Sequence, residues 1–114
     1  MVNQIKQGFV MIDNVTQLEL TRRSALKIIR ELAEDSSKVI ITHHARERMQ
    51  QRNITDIQIF RCLLHGNMQD SPYRDPRGSW KMKLENKSAG DVVKVVIALD
   101  CDSNGNYIVV ITTF

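Results

Sequence analysis

Residues 42–66 read THHARERMQQRNITDIQIFRCLLHG, and the punctuation inside that stretch decides the fold. Thr42 precedes ten residues that are mostly strong helix formers, and a threonine there can accept a hydrogen bond from an amide of the first turn. Asn53 stands where helices commonly end in the left-handed region, which asparagine tolerates better than most side chains. Thr55 repeats the capping signal, Asp56 complements the positive end of a helix dipole, and Gly66 is a stop. Ile57, Phe60 and Leu64 share a face with Leu63. The spacing predicts two short helices over about 43–65, joined at Asn53-Ile54.

Downstream of Gly66 the period changes from helix to strand. Ser71-Pro-Tyr-Arg-Asp-Pro-Arg-Gly78 holds both prolines and reads as an exposed loop. Trp80 to Leu84 alternates apolar and basic residues, which places Lys81 and Lys83 on one face. Ser88 to Asp91 is a turn, and Asp102-Ser-Asn-Gly105 is a hairpin between two β-rich runs, Val92–Leu99 and Tyr107–Thr113. Those runs are nearly continuous β-formers, so central strands covered on both faces are expected. Upstream, Thr21 caps a helix reaching about Asp35, with Ala25, Ile28, Ile29 and Leu32 on one stripe. Ser36-Ser37 ends it, Val39-Ile40-Ile41 is a short β-branched run, and Gly8 to Ile12 is either a short strand or an arm. Helices first and strands afterwards is the α+β order. The expected architecture is N-terminal helices packed on one face of a twisted antiparallel sheet of three to four strands, with the other face left for function.

A chain of 114 residues, 42% hydrophobic and 25% charged, suits one globular domain. No apolar run approaches the ~20 residues of a bilayer helix, so no membrane partner is expected. The first residues lack a basic region followed by an apolar core, which gives no secretory signal. Cys62 and Cys101 form no CxxC pair and no disulfide framework, in keeping with a cytoplasmic location. The net charge is +3, and it is concentrated: residues 43–83 hold eight basic and four acidic side chains. A local positive field of that kind attracts phosphates.

His44, Arg48 and Arg52 fall at i, i+4 and i+8 of the predicted helix and project from nearly one face. An imidazole exchanges protons near neutral pH and guanidiniums neutralise phosphoryl charge, so the row suits a phosphate site. RNA cleavage at such a site needs no metal, because the 2′-hydroxyl is the nucleophile. The competing reading is structural: Arg48 and Arg52 pair with Asp56 or Glu47 and pin the helices. Arg74, Arg77, Lys81 and Lys83 extend a phosphate track, although two lysines on an edge strand also guard against aggregation. His43, His44 and His65 lack ligand spacing, and the calcium-like opening at Asp100 has Ile111 where a glutamate is required. No metal or cofactor is expected.

Thr42 to Ile54 resembles the H-A-x-x-R-M-x-x-R-x-I signature of a bacterial family of small domains of unknown function. The likeness covers residues 38–114, leaving 1–37 as an N-terminal extension with an amphipathic helix. That family looks like a distant branch of the RelE/ParE-like toxins, within the barnase–EndoU–colicin–RelE superfold of small ribonucleases. The resemblance implies two helices over a curved antiparallel sheet. It also implies a metal-independent endoribonuclease of a toxin–antitoxin system, with RNA as substrate and an antitoxin as partner. His44, Arg48 and Arg52 match its polar positions, Ala45, Met49 and Ile54 its packing positions, and Thr112 a threonine near the end of the last strand. The better-known toxins place arginine, lysine or tyrosine on late strands, whereas the final strand here offers Tyr107, Thr112 and Thr113. The alternative function is a non-catalytic module of the same fold that binds nucleic acid or protein. The helix at 21–35, outside the family-like region, is a candidate homodimer interface.

Overall fold

The structure, a computed structural model, describes residues 14–88 and 90–114. Its helices α1 (Arg22–Ala33), α2 (His43–Arg52) and α3 (Asp56–His65) each begin after a threonine. The hydroxyls of Thr21, Thr42 and Thr55 accept from the amides of Ser24, Ala45 and Gln58, which satisfies donors that a helix start leaves unpaired. Asn53 ends α2 at φ 57°, in the left-handed region. Gly66 ends α3 in extended backbone, and its missing side chain matters for a different reason. A Cβ there would lie 2.5 Å from the Cys62 carbonyl oxygen and 3.1 Å from that of Glu85.

The strands are β1 (Val39–Ile41), β2 (Tyr73–Arg74), β3 (Trp80–Ser88), β4 (Asp91–Asp102) and β5 (Gly105–Thr113). They form one sheet in the order β1-β5-β4-β3-β2. The expectation of three to four antiparallel strands is corrected to five strands in a mixed sheet. Strands β2 to β5 pair antiparallel, whereas β1 joins the edge parallel to β5, Val39 opposite Ile108. Two turns close the meander, and the expected hairpin at Asp102–Gly105 joins β4 to β5 through Ser103 and Asn104, with Gly105 at φ +107°. The loop predicted at Ser71–Gly78 contains β2, and its Pro72 is buried. Gly8 to Ile12 lies outside the described residues.

One register shift shapes the end of β5. Ile97 pairs with Val110 and Val96 with Thr112, so Ile111 is an extra residue in a β-bulge. Thr42 Oγ1 donates to the carbonyls of Val110 (2.9 Å) and Ile111 (3.2 Å), tying the start of α2 to that point. Beyond the bulge Thr113 turns inward, fully buried, with its hydroxyl donating to the Lys94 carbonyl at 2.7 Å.

The core lies between the helices and one sheet face. Val93, Val95, Ile97 and Leu99 of β4 meet Ile59, Cys62 and Leu63 of α3, and α1 adds Ala25, Ile29 and Leu32. The buried face of α3 is thus 59/62/63, and Ile57, expected on the apolar face, is 65% exposed. The stripe of α1 packs on α3 inside the chain, and Arg30 donates to the carbonyls of Leu63 (2.9 Å) and Gly66 (3.0 Å) at the negative end of α3. No helix among the described residues covers the opposite sheet face. Central strands buried on both faces were expected at 92–99 and 107–113; instead Val92 is 45% exposed, and Lys94, Val96, Val109 and Thr112 are half-buried. No helix among the described residues is long and apolar enough to cross a membrane.

Candidate nucleic-acid interface

Helix α2 buries Ala45 and Met49 against β5, and this fixes where its other side chains go. At 100° per residue, His44, Arg48 and Arg52 run along one flank of that buried stripe, and Arg46 lies on the other flank. The structural pins expected of Arg48 and Arg52 fall to their neighbours. Arg46 Nη1 meets Asp56 Oδ1 at 2.7 Å across the α2–α3 junction, and His43 Nε2 meets Glu47 Oε2 at 3.4 Å. Arg48 is half-buried and donates only to Gln51 Oε1, at 3.2 Å. His44 and Arg52 are exposed and have no side-chain partner among the described residues.

Arg52 lines a cleft of about 200 Å³ with Gln58, Asp91, Val93 and Phe114. Phe114 continues the sheet beyond the bulge: its amide and carbonyl exchange hydrogen bonds with Lys94 at 2.9 and 3.0 Å. Residues directly opposite share a face, so Phe114 and Lys94 lie together on the helix-free side. The register puts Lys83 opposite Val96 and Lys81 opposite Ala98 on that same side. The ammonium groups of Lys83 and Lys94 stand 5.7 and 5.8 Å from the centre of the Phe114 ring, near the outer limit of a cation–π contact. A second cleft, of about 260 Å³, lies on this face and also includes Phe114, along with Tyr73, Lys83 and Val96. Phe114 therefore joins the α2 row to the open sheet face.

The four expected track residues separate. Lys83 is exposed on the open face. Lys81 shares that face, held at 3.6 Å by Asp75. Arg77 is exposed in the loop, where its amide donates to Asp75 Oδ1. Arg74 is exposed but engaged: it donates to the carbonyls of Thr16 and Leu18, approaches Glu19 at 3.4 Å, and stacks 4.4 Å from the Trp80 ring centre. Lys94 and Phe114 were missed. The alternation Val93-Lys94-Val95 was the available signal, since a lysine between two buried valines must face the other side.

Charge along the open face is graded. The hairpin end carries Asp100 and Asp102, whose charges, after burial, help raise the Tyr107 hydroxyl above its ordinary pKa. The bulge end carries Lys83 and Lys94, with Glu85 directly opposite Lys94. Of the thiols, Cys62 is buried in the core and burial pushes it up to about 12, so it stays protonated and inert. Among the described residues no group of three or more His, Cys, Asp or Glu side chains comes together.

Compared with the curated proteins and with the solved structures, the chain finds no match in either. A family model does match, over residues 41–114, from the last residue of β1 through the α2 row and the whole meander. The chain belongs to that family, the domain of unknown function DUF4258.

Proposed function

We propose that the domain acts on single-stranded RNA as a metal-independent endoribonuclease of toxin type. In the reaction the 2′-oxygen attacks the adjacent phosphorus and the bond to the 5′-oxygen breaks, leaving a cyclic phosphate and a free 5′-hydroxyl. His44 exchanges the proton on the attacking or leaving oxygen, and Arg48 with Arg52 holds the phosphate, whose charge grows in the transition state. Lys81 and Lys83 guide the strand, and Lys94 takes the place in that track that Arg74 leaves. The observation that supports this reading is continuity: His44 and Arg52, without side-chain partners among the described residues, share one flank of α2, and Arg52 shares a cleft with Phe114, which also lines the cleft beside Lys83 on the outer sheet face. An antitoxin of opposite charge, covering the same surface, would silence the enzyme in a cytoplasm.

A second reading, binding without cleavage, is favoured by one observation. The reaction moves two protons, and His43, the neighbouring imidazole, is turned to Glu47 on another side of α2. Incubating purified protein with mixed cellular RNA in EDTA, beside His44→Ala and Arg48→Ala, separates the two. Discrete fragments from the wild type alone are expected. Intact RNA in every lane, with salt-sensitive binding retained, would leave the binding module; cleavage by His44→Ala at the wild-type rate would end the assignment of roles.

A further inference from the structure

Two aromatic residues of the open face, Tyr73 and Phe114, line one cleft. Tyr73 is 58% exposed on the edge strand β2, opposite Lys81, and its hydroxyl has no partner among the described residues. Phe114 is half-buried at the bulge end. Both line the 260 Å³ cleft, with Val96 as apolar lining and Lys83 beside them. Asp70 also lines it, exposed and without an ion pair or hydrogen bond from its side chain among the described residues.

Each component selects a ligand property. Aromatic faces favour a flat π-system, as in proteins that splay and stack unpaired bases. The ammonium groups of Lys83 and Lys94 flank the aromatic ring, where a strand's phosphates would pass. A carboxylate among those cations would repel phosphate, and because it only accepts hydrogen bonds it reads an edge that donates them. Adenine, cytosine and guanine each present an exocyclic amino group, whereas uracil presents two carbonyls around one N–H.

Resting on the RNA reading above, we propose that the cleft between Tyr73 and Phe114 is a base-reading subsite. It takes one unstacked base bearing an amino group, Asp70 accepts from that group, and Lys83 and Lys94 hold the adjoining phosphates. The subsite lies beside the phosphate-holding row and reaches it through Phe114, so it selects the sequence near the cut and takes no part in bond breaking.

Binding of labelled 2′-O-methyl oligonucleotides tests this, since blocking the 2′-oxygen removes cleavage from the readout. The wild type is expected to bind oligo(A) and oligo(C) at least about fivefold more tightly than oligo(U). Asp70→Asn, which adds a donor, should erase that preference with the melting temperature unchanged. Phe114→Leu, which keeps apolar bulk without a stacking face, should weaken oligo(A) roughly five- to a hundredfold, and Phe114→Trp should retain it. Equal binding of all three homopolymers, with Asp70→Asn and Phe114→Leu silent, would overturn the subsite and leave the RNA reading standing. Binding to none of them by folded wild type would overturn the RNA reading and the subsite with it.

Discussion

Along β4, Val93, Val95, Ile97 and Leu99 are closed off beneath α3, while Val92, Lys94 and Val96 on the same strand face the side that no helix among the described residues covers. The inner face is apolar, close-packed and sealed at its rim by side chains such as Arg30 and Arg74, whose charges are spent on carbonyl oxygens. On the outer face Lys81 is paired with Asp75, while Lys83 and Lys94 face solvent or an aromatic ring. The difference separates two kinds of cation: an arginine bound to backbone carbonyls holds structure, whereas Lys83 and Lys94 make no ion pair or side-chain hydrogen bond among the described residues.

That contrast can be broken, most sharply within one strand. Ile97→Ala should cost about 2–5 kcal/mol, as a fully buried isoleucine loses both its packing and its cavity. Val96→Ala, one residue away and half-buried, should cost well under half of that; equal losses in urea melts would mean that the outer face is covered in solution.

Gly66→Ala should cost about 1–3 kcal/mol, because the new methyl group would press on two backbone oxygens under α3. A neutral result in thermal melts would mean that the α3–β3 junction gives way easily. Arg74→Ala should cost about 1–3 kcal/mol through the loss of charge-assisted bonds to the Thr16 and Leu18 carbonyls and of the stack on Trp80. Lys83→Ala should stay within about 0.5 kcal/mol. The order of those two melts sorts structural from functional cations. The smallest change is in salt dependence: Lys83→Gln and Lys94→Gln should each lower the slope of log affinity for RNA against log salt by about 0.7. An unchanged slope would remove that lysine from the interface.

Local chemistry was readable in the sequence. Three threonine caps and the left-handed Asn53 lie where short-range signals placed them, because a cap is settled within four residues. Pairing across the chain was not. Val39–Ile41 reads as a strand, but nothing in three residues says that it lies parallel to a strand nearly seventy positions later. Helix phase was partly legible: the row His44, Arg48 and Arg52 follows from spacing alone, yet assigning Asp56 to Arg46 required knowing which flank meets α3. The outer face was only partly legible: Lys94 between Val93 and Val95 signals a solvent side, but the flanking valines and isoleucines look the same whether one side is covered or two.

Ile111 has a consequence for how this chain is compared with its relatives. Strict alternation from Ile108 and Val110 would send Thr112 and Phe114 to the interior; the supernumerary residue resets the parity, and they emerge on the other side. A relative lacking a residue at 111 can keep the same surface with a straighter strand. A relative with a one-residue gap between Thr112 and Phe114 exchanges inside for outside over the last residues. Where an alignment sets its gap in those four positions is therefore a statement about which side chains meet the solvent, and it should be placed by strand register before similarity of letters.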